Sequence, residues 1–191
     1  MEISVSLNFH ILAAVPAVPF STWIFEMLDA PTLSTDRLTL RPMTYSDWPA
    51  YLELMQSDYS EGMGGPLTMP FAWGMFCHDL GQWPLFGHGA LMFDDRETGE
   101  TLGQVGINAG PLFPETELGW YVYPAIEGKG YAFEAATAYR DWARDVRKLP
   151  TLVSYIDANN IRSIRLAERL GATLDDKAPR KDTEDLVYRH F

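Results

Sequence analysis

Apolar and polar positions along this chain alternate between two periods. Leu38 to Arg41 alternates with period two and predicts a first strand, which Pro42 should end. Ser46-Asp47 then precedes a run from Trp48 to Met55 in which Trp48, Tyr51, Leu52 and Met55 fall on one helical face. Gln56 to Pro70 is irregular and carries Gly62, Gly64 and Gly65, and a second helix with a heavy apolar load is expected over 71–83. Strands follow at about 88–94 and 102–108. They flank the hairpin signal Asp94-Asp95-Arg96-Glu97-Thr98-Gly99-Glu100. A strand at 117–122 completes a meander. A helix is expected from Phe133 to about Val146, a β-branched strand over 151–156, a helix from Asn160 to Leu170 closed by Gly171, and a last strand at 185–189. The order predicts an α+β fold with one sheet and helices on both faces.

The first 26 residues do not share this pattern. Ser4 to Phe20 is apolar but broken by Pro16 and Pro19, and its only early charge is Glu2. That excludes the basic start of a signal peptide and is too short and too interrupted for a bilayer span. Residues 1–26 are therefore expected to be a poorly packed extension, and residues 27–191 a single domain.

The chain has 191 residues, 47% of them hydrophobic, which is enough for one buried core. A net charge of −11 would repel a polyanion, so nucleic acid is not expected as a partner, whereas cationic amines would be attracted. The one cysteine, Cys77, excludes an internal disulfide and suits a reducing, cytoplasmic compartment. It is expected to be a packed thiol. His10, His78, His88 and His190 have no metal-ligand spacing, so no metal is expected.

Two clusters carry chemistry. Glu127-Gly128-Lys129-Gly130-Tyr131-Ala132 lies between a strand and a helix. Its glycines allow close approach, and its backbone N–H groups and the helix dipole can hold a phosphate. It is neither a P-loop, since Tyr123 and Gly130 stand where that motif needs Gly and Ser or Thr, nor a dinucleotide fingerprint, since Phe133 replaces the third Gly. The second cluster, Asp157 to Ser163, joins a strand end to a helix start. Its Asn and Ser residues are capping groups, ligand groups, or both. The strand ends near 122 and 156 would face one crevice.

Together these segments resemble the GCN5-related N-acetyltransferase (GNAT) superfamily, in its RimJ/RimL-like branch, from about Pro31 to Phe191. Thr35-Asp36-Arg37-Leu38-Thr39-Leu40-Arg41-Pro42 is similar to that branch's first strand, and Thr98 to Gly103 to a hairpin turn. Glu117 to Trp120 is similar to its fourth strand and Glu127 to Ala132 to its pyrophosphate loop. Asn160-Ile161-Arg162-Ser163 with Ala167 to Ala172 is similar to its Asn-x-x-Ser helix. The chain departs from the superfamily at Glu127, where Gln or Arg is usual, and at Ala167, where many members place a tyrosine acid.

The resemblance implies a mixed, mostly antiparallel central sheet, splayed between strands four and five, and transfer of acetyl from acetyl-CoA to a primary amine, either a protein N-terminus or a small molecule. It implies that Gly128, Lys129, Gly130, Tyr131 and Ala132 cradle the diphosphate, beginning at Glu127. The strand edge at Trp120, Tyr121 and Val122 would dock the pantetheine arm, with a backbone N–H near Tyr121 or Val122 meeting the thioester oxygen, and Asn160 would bond the arm from the other wall. Trp120 and Tyr121 are otherwise core residues, and Lys129 is otherwise a solvated loop lysine. Glu117 is the candidate base, with Glu115 as a substitute, and Ser163 the candidate hydrogen-bond donor to the leaving thiolate. Each is otherwise a surface or capping group. Trp73, Phe76, Trp83 and Phe86 would line an acceptor pocket or pack the core. An exposed strand edge would permit a homodimer, and no membrane partner is expected. The other class of protein that would keep the loop is a non-catalytic acyl-CoA-binding or interaction module.

Overall fold

A computed structural model describes residues 30–180 and 182–191; the expected extension over residues 1–26 lies outside them. The eight strands are β1 (Leu33–Ser34), β2 (Leu38–Pro42), β3 (Ala90–Asp95), β4 (Thr101–Asn108), β5 (Glu117–Val122), β6 (Val153–Asp157), β7 (Thr173–Leu174) and β8 (Asp185–Arg189). The α-helices are α1 (Trp48–Met55), α2 (Met69–Phe86), α3 (Tyr131–Asp145) and α4 (Ile161–Arg169). The strands form one sheet in the order β1-β2-β3-β4-β5-β6-β8-β7, antiparallel throughout except where β5 meets β6. The α+β fold expected from the sequence is the fold observed.

Local chemistry sets most boundaries. The β3–β4 hairpin is closed by Asp95, whose carboxylate accepts the N–H groups of Glu97 and Thr98 at 2.8 and 3.0 Å, while Gly99 takes φ 73°. Gly171 follows α4 at φ 82°, the left-handed conformation that ends a helix. Several bounds differ from expectation. Helix α2 starts at Met69 and runs to Phe86, because Pro70 sits in its first turn, where no backbone donor is lost. The irregular stretch before it contains a 3-10 turn over Asp58–Met63. Helix α3 begins two residues early, at Tyr131. Strand β2, by contrast, ends at Pro42 as expected, with Pro42 its last residue opposite Leu91.

The sheet separates two cores. On one face α3 and α4 cover Leu38, Leu91, Val105, Ile107 and Leu118. On the other, α1 and α2 cover Met92 and Tyr121 with Tyr51, Met55, Ala72 and Phe76. Side chains of β5 alternate between them. Leu118, Trp120 and Val122 pack toward α3, while Tyr121, and with it Glu117 and Gly119, turn toward α1 and α2. No described helix is long and apolar enough to cross a membrane.

Candidate active site

Strands β5 and β6 run parallel but pair only at Glu117 and Val153, with Val153 N–H donating to Thr116 C=O at 3.0 Å. Beyond that point they part. The Ser154 hydroxyl donates to Leu118 C=O at 2.5 Å, standing in for a ladder bond at the last point of contact, and its oxygen also meets His190 Nε2 at 3.0 Å. Burial holds His190 down to about 4. Each strand is fixed by its outer neighbour, β5 by β4 and β6 by β8. Trp120 packs against core residues on both sides of the split.

The ladder's phase decides which backbone groups face the gap. Tyr123 N–H donates to Leu102 C=O at 2.8 Å. In the antiparallel register this turns residues 117, 119 and 121 toward β4, and Leu118, Trp120 and Val122 toward the opening. The N–H facing the gap is therefore that of Val122, not Tyr121, whose backbone is spent on Gln104 across the ladder. Tyr121 contributes a side chain on the α1–α2 face. It is 7% exposed, and its buried hydroxyl has no hydrogen-bond partner among the described residues.

The opening leads into a groove of about 720 Å³ that reaches both chemical clusters. At one end lie Gly128 and Gly130, with φ 78° and 82°, conformations that side chains resist. Gly128 has open space where a Cβ would stand, and the nearest atom to that point on Gly130 is Arg37 Nη2, at 3.7 Å. The first N–H groups of α3 lie beyond Gly130, and Glu134 N–H is the first to close back, on Gly130 C=O. This arrangement fits a diphosphate: an exposed loop, free donors and the positive end of a 15-residue helix. Lys129 is exposed. The loop is held from below by Arg37, which donates to Lys129 C=O at 3.2 Å and to Glu134 at 2.6 Å and covers the Tyr131 ring at 4.4 Å.

Asn160 and Ser163 line the same groove. Asn160 caps α4: its Oδ1 accepts Ser163 N–H at 3.1 Å. That occupies the oxygen and leaves the amide nitrogen available. The Ser163 hydroxyl takes no part in the cap. Glu127 pairs with Arg162 and accepts the Tyr59 hydroxyl at 3.2 Å. Glu127 thus has a cationic neighbour beside the glycine loop.

Glu117 opens onto the groove from the α1–α2 side, and Asn108 Nδ2 donates to it at 3.2 Å. Burial pushes its carboxyl up to about 7, against the pull of Asn108 and the Tyr155 backbone. Asp79 of α2 is the second carboxyl in the groove. It accepts from Gln104 Nε2 at 3.2 Å and from the Tyr51 hydroxyl at 3.3 Å, and burial also raises it to about 7, with Glu117 adding to the effect. Glu115 does not line the groove. Arg189 clamps both its oxygens, at 2.8 and 2.9 Å, and this ion pair holds its carboxyl below the usual range.

Four aromatic candidates fall away from the groove lining. Phe76 is fully buried, Trp83 packs into the α3 core and donates to Ala90 C=O at 3.0 Å, and neither Trp73 nor Phe86 reaches the groove. The walls are built by Met75 and Phe113 with Asp79. Cys77 is exposed and not packed, because it lies on the solvent side of α2. Among the described residues no cluster of His, Cys, Asp or Glu is arranged to hold a metal. Sequence reading missed Asp79, Gln104, Asn108 and Ser154. One signal was present: Gln104, Gly106 and Asn108 break the apolar alternation on one face of β4, and Asp79 is the lone acid in the apolar run of α2.

Comparison with known proteins gives a consistent result. The family model "Acetyltransferase (GNAT) domain" matches residues 37–173. The crystal structure of an acetyltransferase from Agrobacterium tumefaciens is 59% identical with a TM-score of 0.84, covering 86% of this chain and 96% of that one. The curated protein YkkB of Bacillus subtilis is 37% identical over 89 residues, 44% of this chain. The chain spans about half the length of that relative, 52%. RimL, a ribosomal alpha-N-protein acetyltransferase in complex with coenzyme A, shares the fold at a TM-score of 0.65 and 16% identity, covering 83% of this chain and 95% of that one.

Proposed function

The chain belongs to the GNAT acetyltransferase family, and on that premise we propose that it moves the acetyl group of acetyl-CoA onto a primary amine by direct attack in a ternary complex. Acetyl-CoA supplies the activated acyl thioester. The backbone N–H groups of residues 128–132 hold its diphosphate, and the free edge of Trp120 and Val122 pairs with the amides of its pantetheine arm as an added strand would. The Asn160 amide nitrogen bonds the arm from the opposite wall.

Glu117 takes the proton of the bound ammonium. A carboxyl at about 7 is half ionised at neutral pH and is well matched to an amine, whereas an ordinary carboxylate is too weak a base. The C–N bond then forms at the thioester carbonyl while Val122 N–H meets the charge developing on its oxygen. The C–S bond then breaks as the new amide nitrogen loses its second proton to the departing sulfur, so that CoA leaves as the thiol, with Ser163 donating a hydrogen bond to that sulfur as charge develops on it. A thiol's ordinary acidity, about 8.5, makes this a fair leaving group.

The observation that carries the reading is the single groove that reaches the glycine loop, Asn160, Ser163 and Glu117 through the parting of β5 and β6. The test is release of free thiol from acetyl-CoA against a panel of amines. Amine-dependent release is expected. Tight acetyl-CoA binding with no release on any amine would leave a binding module in its place.

A further inference from the structure

We propose that the acceptor is a short amine bearing a second cationic group, laid end to end in a trough between Glu117 and Asp79. The inference rests on the acetyl-transfer reading and names its substrate class.

The trough follows from strand register. On the α1–α2 face, three rows of residues cross the sheet. Gln104 opposes Tyr121, Gly106 opposes Gly119, and Asn108 opposes Glu117. The middle row has no side chains, and Ala90 extends it onto β3 opposite Gly106. A Cβ on Gly119 would meet nothing within 4 Å. The floor is bare strand, and Met75 and Phe113 contribute apolar walls.

Each outer row carries one carboxylate. Asn108 holds Glu117, and Gln104 holds Asp79. The rows are four strand residues apart, about 13 Å of backbone, and the side chains lean over the bare floor between. The Tyr121 hydroxyl is buried at the Asp79 end of the trough beside the Tyr123 hydroxyl, and neither has a well-formed hydrogen bond among the described residues. A buried hydroxyl without a partner is costly, as is a carboxylate facing an apolar wall without a cation. A monoamine at Glu117 satisfies neither. An amine whose far end carries a second ammonium or similar donor satisfies both.

The alternative occupant is a protein N-terminus, whose chain must leave the site. At the Asp79 end the groove is lined by the buried Tyr51 and Tyr121. A compact ligand can lie wholly between the two carboxyl groups, and the net charge of −11 favours its approach when it is cationic.

The experiment follows thiol release from acetyl-CoA with straight-chain monoamines, α,ω-diamines of increasing length, and a peptide with a free α-amine. Diamines of one optimal length should exceed the equal-length monoamine by about tenfold or more in kcat/KM. Asp79→Asn should erase most of that preference, chiefly through KM. Gly119→Val should lower kcat/KM for the best diamine while calorimetry shows acetyl-CoA still bound. Equal turnover of monoamines and diamines, preference for the peptide, or a diamine preference that survives Asp79→Asn would each overturn the inference and leave acetyl transfer standing. Silence on every amine would overturn both.

Discussion

Replacing Glu117 by Gln tests the central electrostatic claim in two independent ways. The carboxyl has moved from an ordinary 4.5 to about 7 because the fold strips water from it. A group whose acidity is weakened by folding keeps its proton more firmly in the folded state. Between pH 4.5 and 7 the folded chain therefore binds more protons than the unfolded one, and stability falls as pH rises through that window. Each tenfold change in proton affinity is about 1.4 kcal/mol, so the full penalty above pH 7 would be about 3 kcal/mol. Glu117 is only half-buried and lines an open groove, so its desolvation is partial and the penalty is about 2 kcal/mol. Gln keeps the shape and removes the ionisation. The variant should match the parent in stability at pH 4 and exceed it at pH 8, by about 4–8 °C in Tm for a domain of this size. Its kcat/KM should fall by about 100-fold or more and lose the rise that the parent shows up to pH 7. Differential scanning calorimetry at the two pH values and a pH–rate profile read these separately. A Tm difference that is the same at both pH values would refute the burial argument. An unchanged pH–rate profile would remove Glu117 from the chemistry.

Gly130→Glu puts a carboxylate where the diphosphate would lie and should abolish acetyl-CoA binding by calorimetry. The left-handed backbone adds about 1–2 kcal/mol of instability, so Tm is measured alongside; retained binding would refute the cradle. Ser163→Ala should lower kcat with little change in Tm, because the helix cap uses the Ser163 backbone N–H and not its hydroxyl; an unchanged kcat would leave Ser163 with no catalytic part. Tyr139→Phe should cost about 1–3 kcal/mol in urea unfolding. Its hydroxyl is the partner of both Gly89 C=O at 2.7 Å and Gly89 N–H at 3.2 Å; the carbonyl keeps Ile107 N–H at 3.0 Å, but the N–H would be stranded in the core, and no loss would mean that water replaces the hydroxyl.

Period, caps and turn chemistry are local, and they were legible in the order of residues. The hairpin at Asp94 to Glu100, the cap at Asn160, the close at Gly171 and the glycine loop before α3 each depend on neighbours a few positions apart. The family resemblance rests on the same segments. What the chain alone could not show depends on partners far apart in it. Glu115 and Glu117 look alike in sequence, two residues apart on the way into β5, yet Arg189 captures one and the groove strips water from the other. Asp79 becomes a groove residue only because α2 lies over Gln104, and the Tyr121 backbone turns to β4 only because Tyr123 fixes the ladder's phase. The bare floor exists because Gly106 and Gly119 meet in register. A shift of one residue would turn every one of these side chains to the other face, and only the folded sheet sets that register.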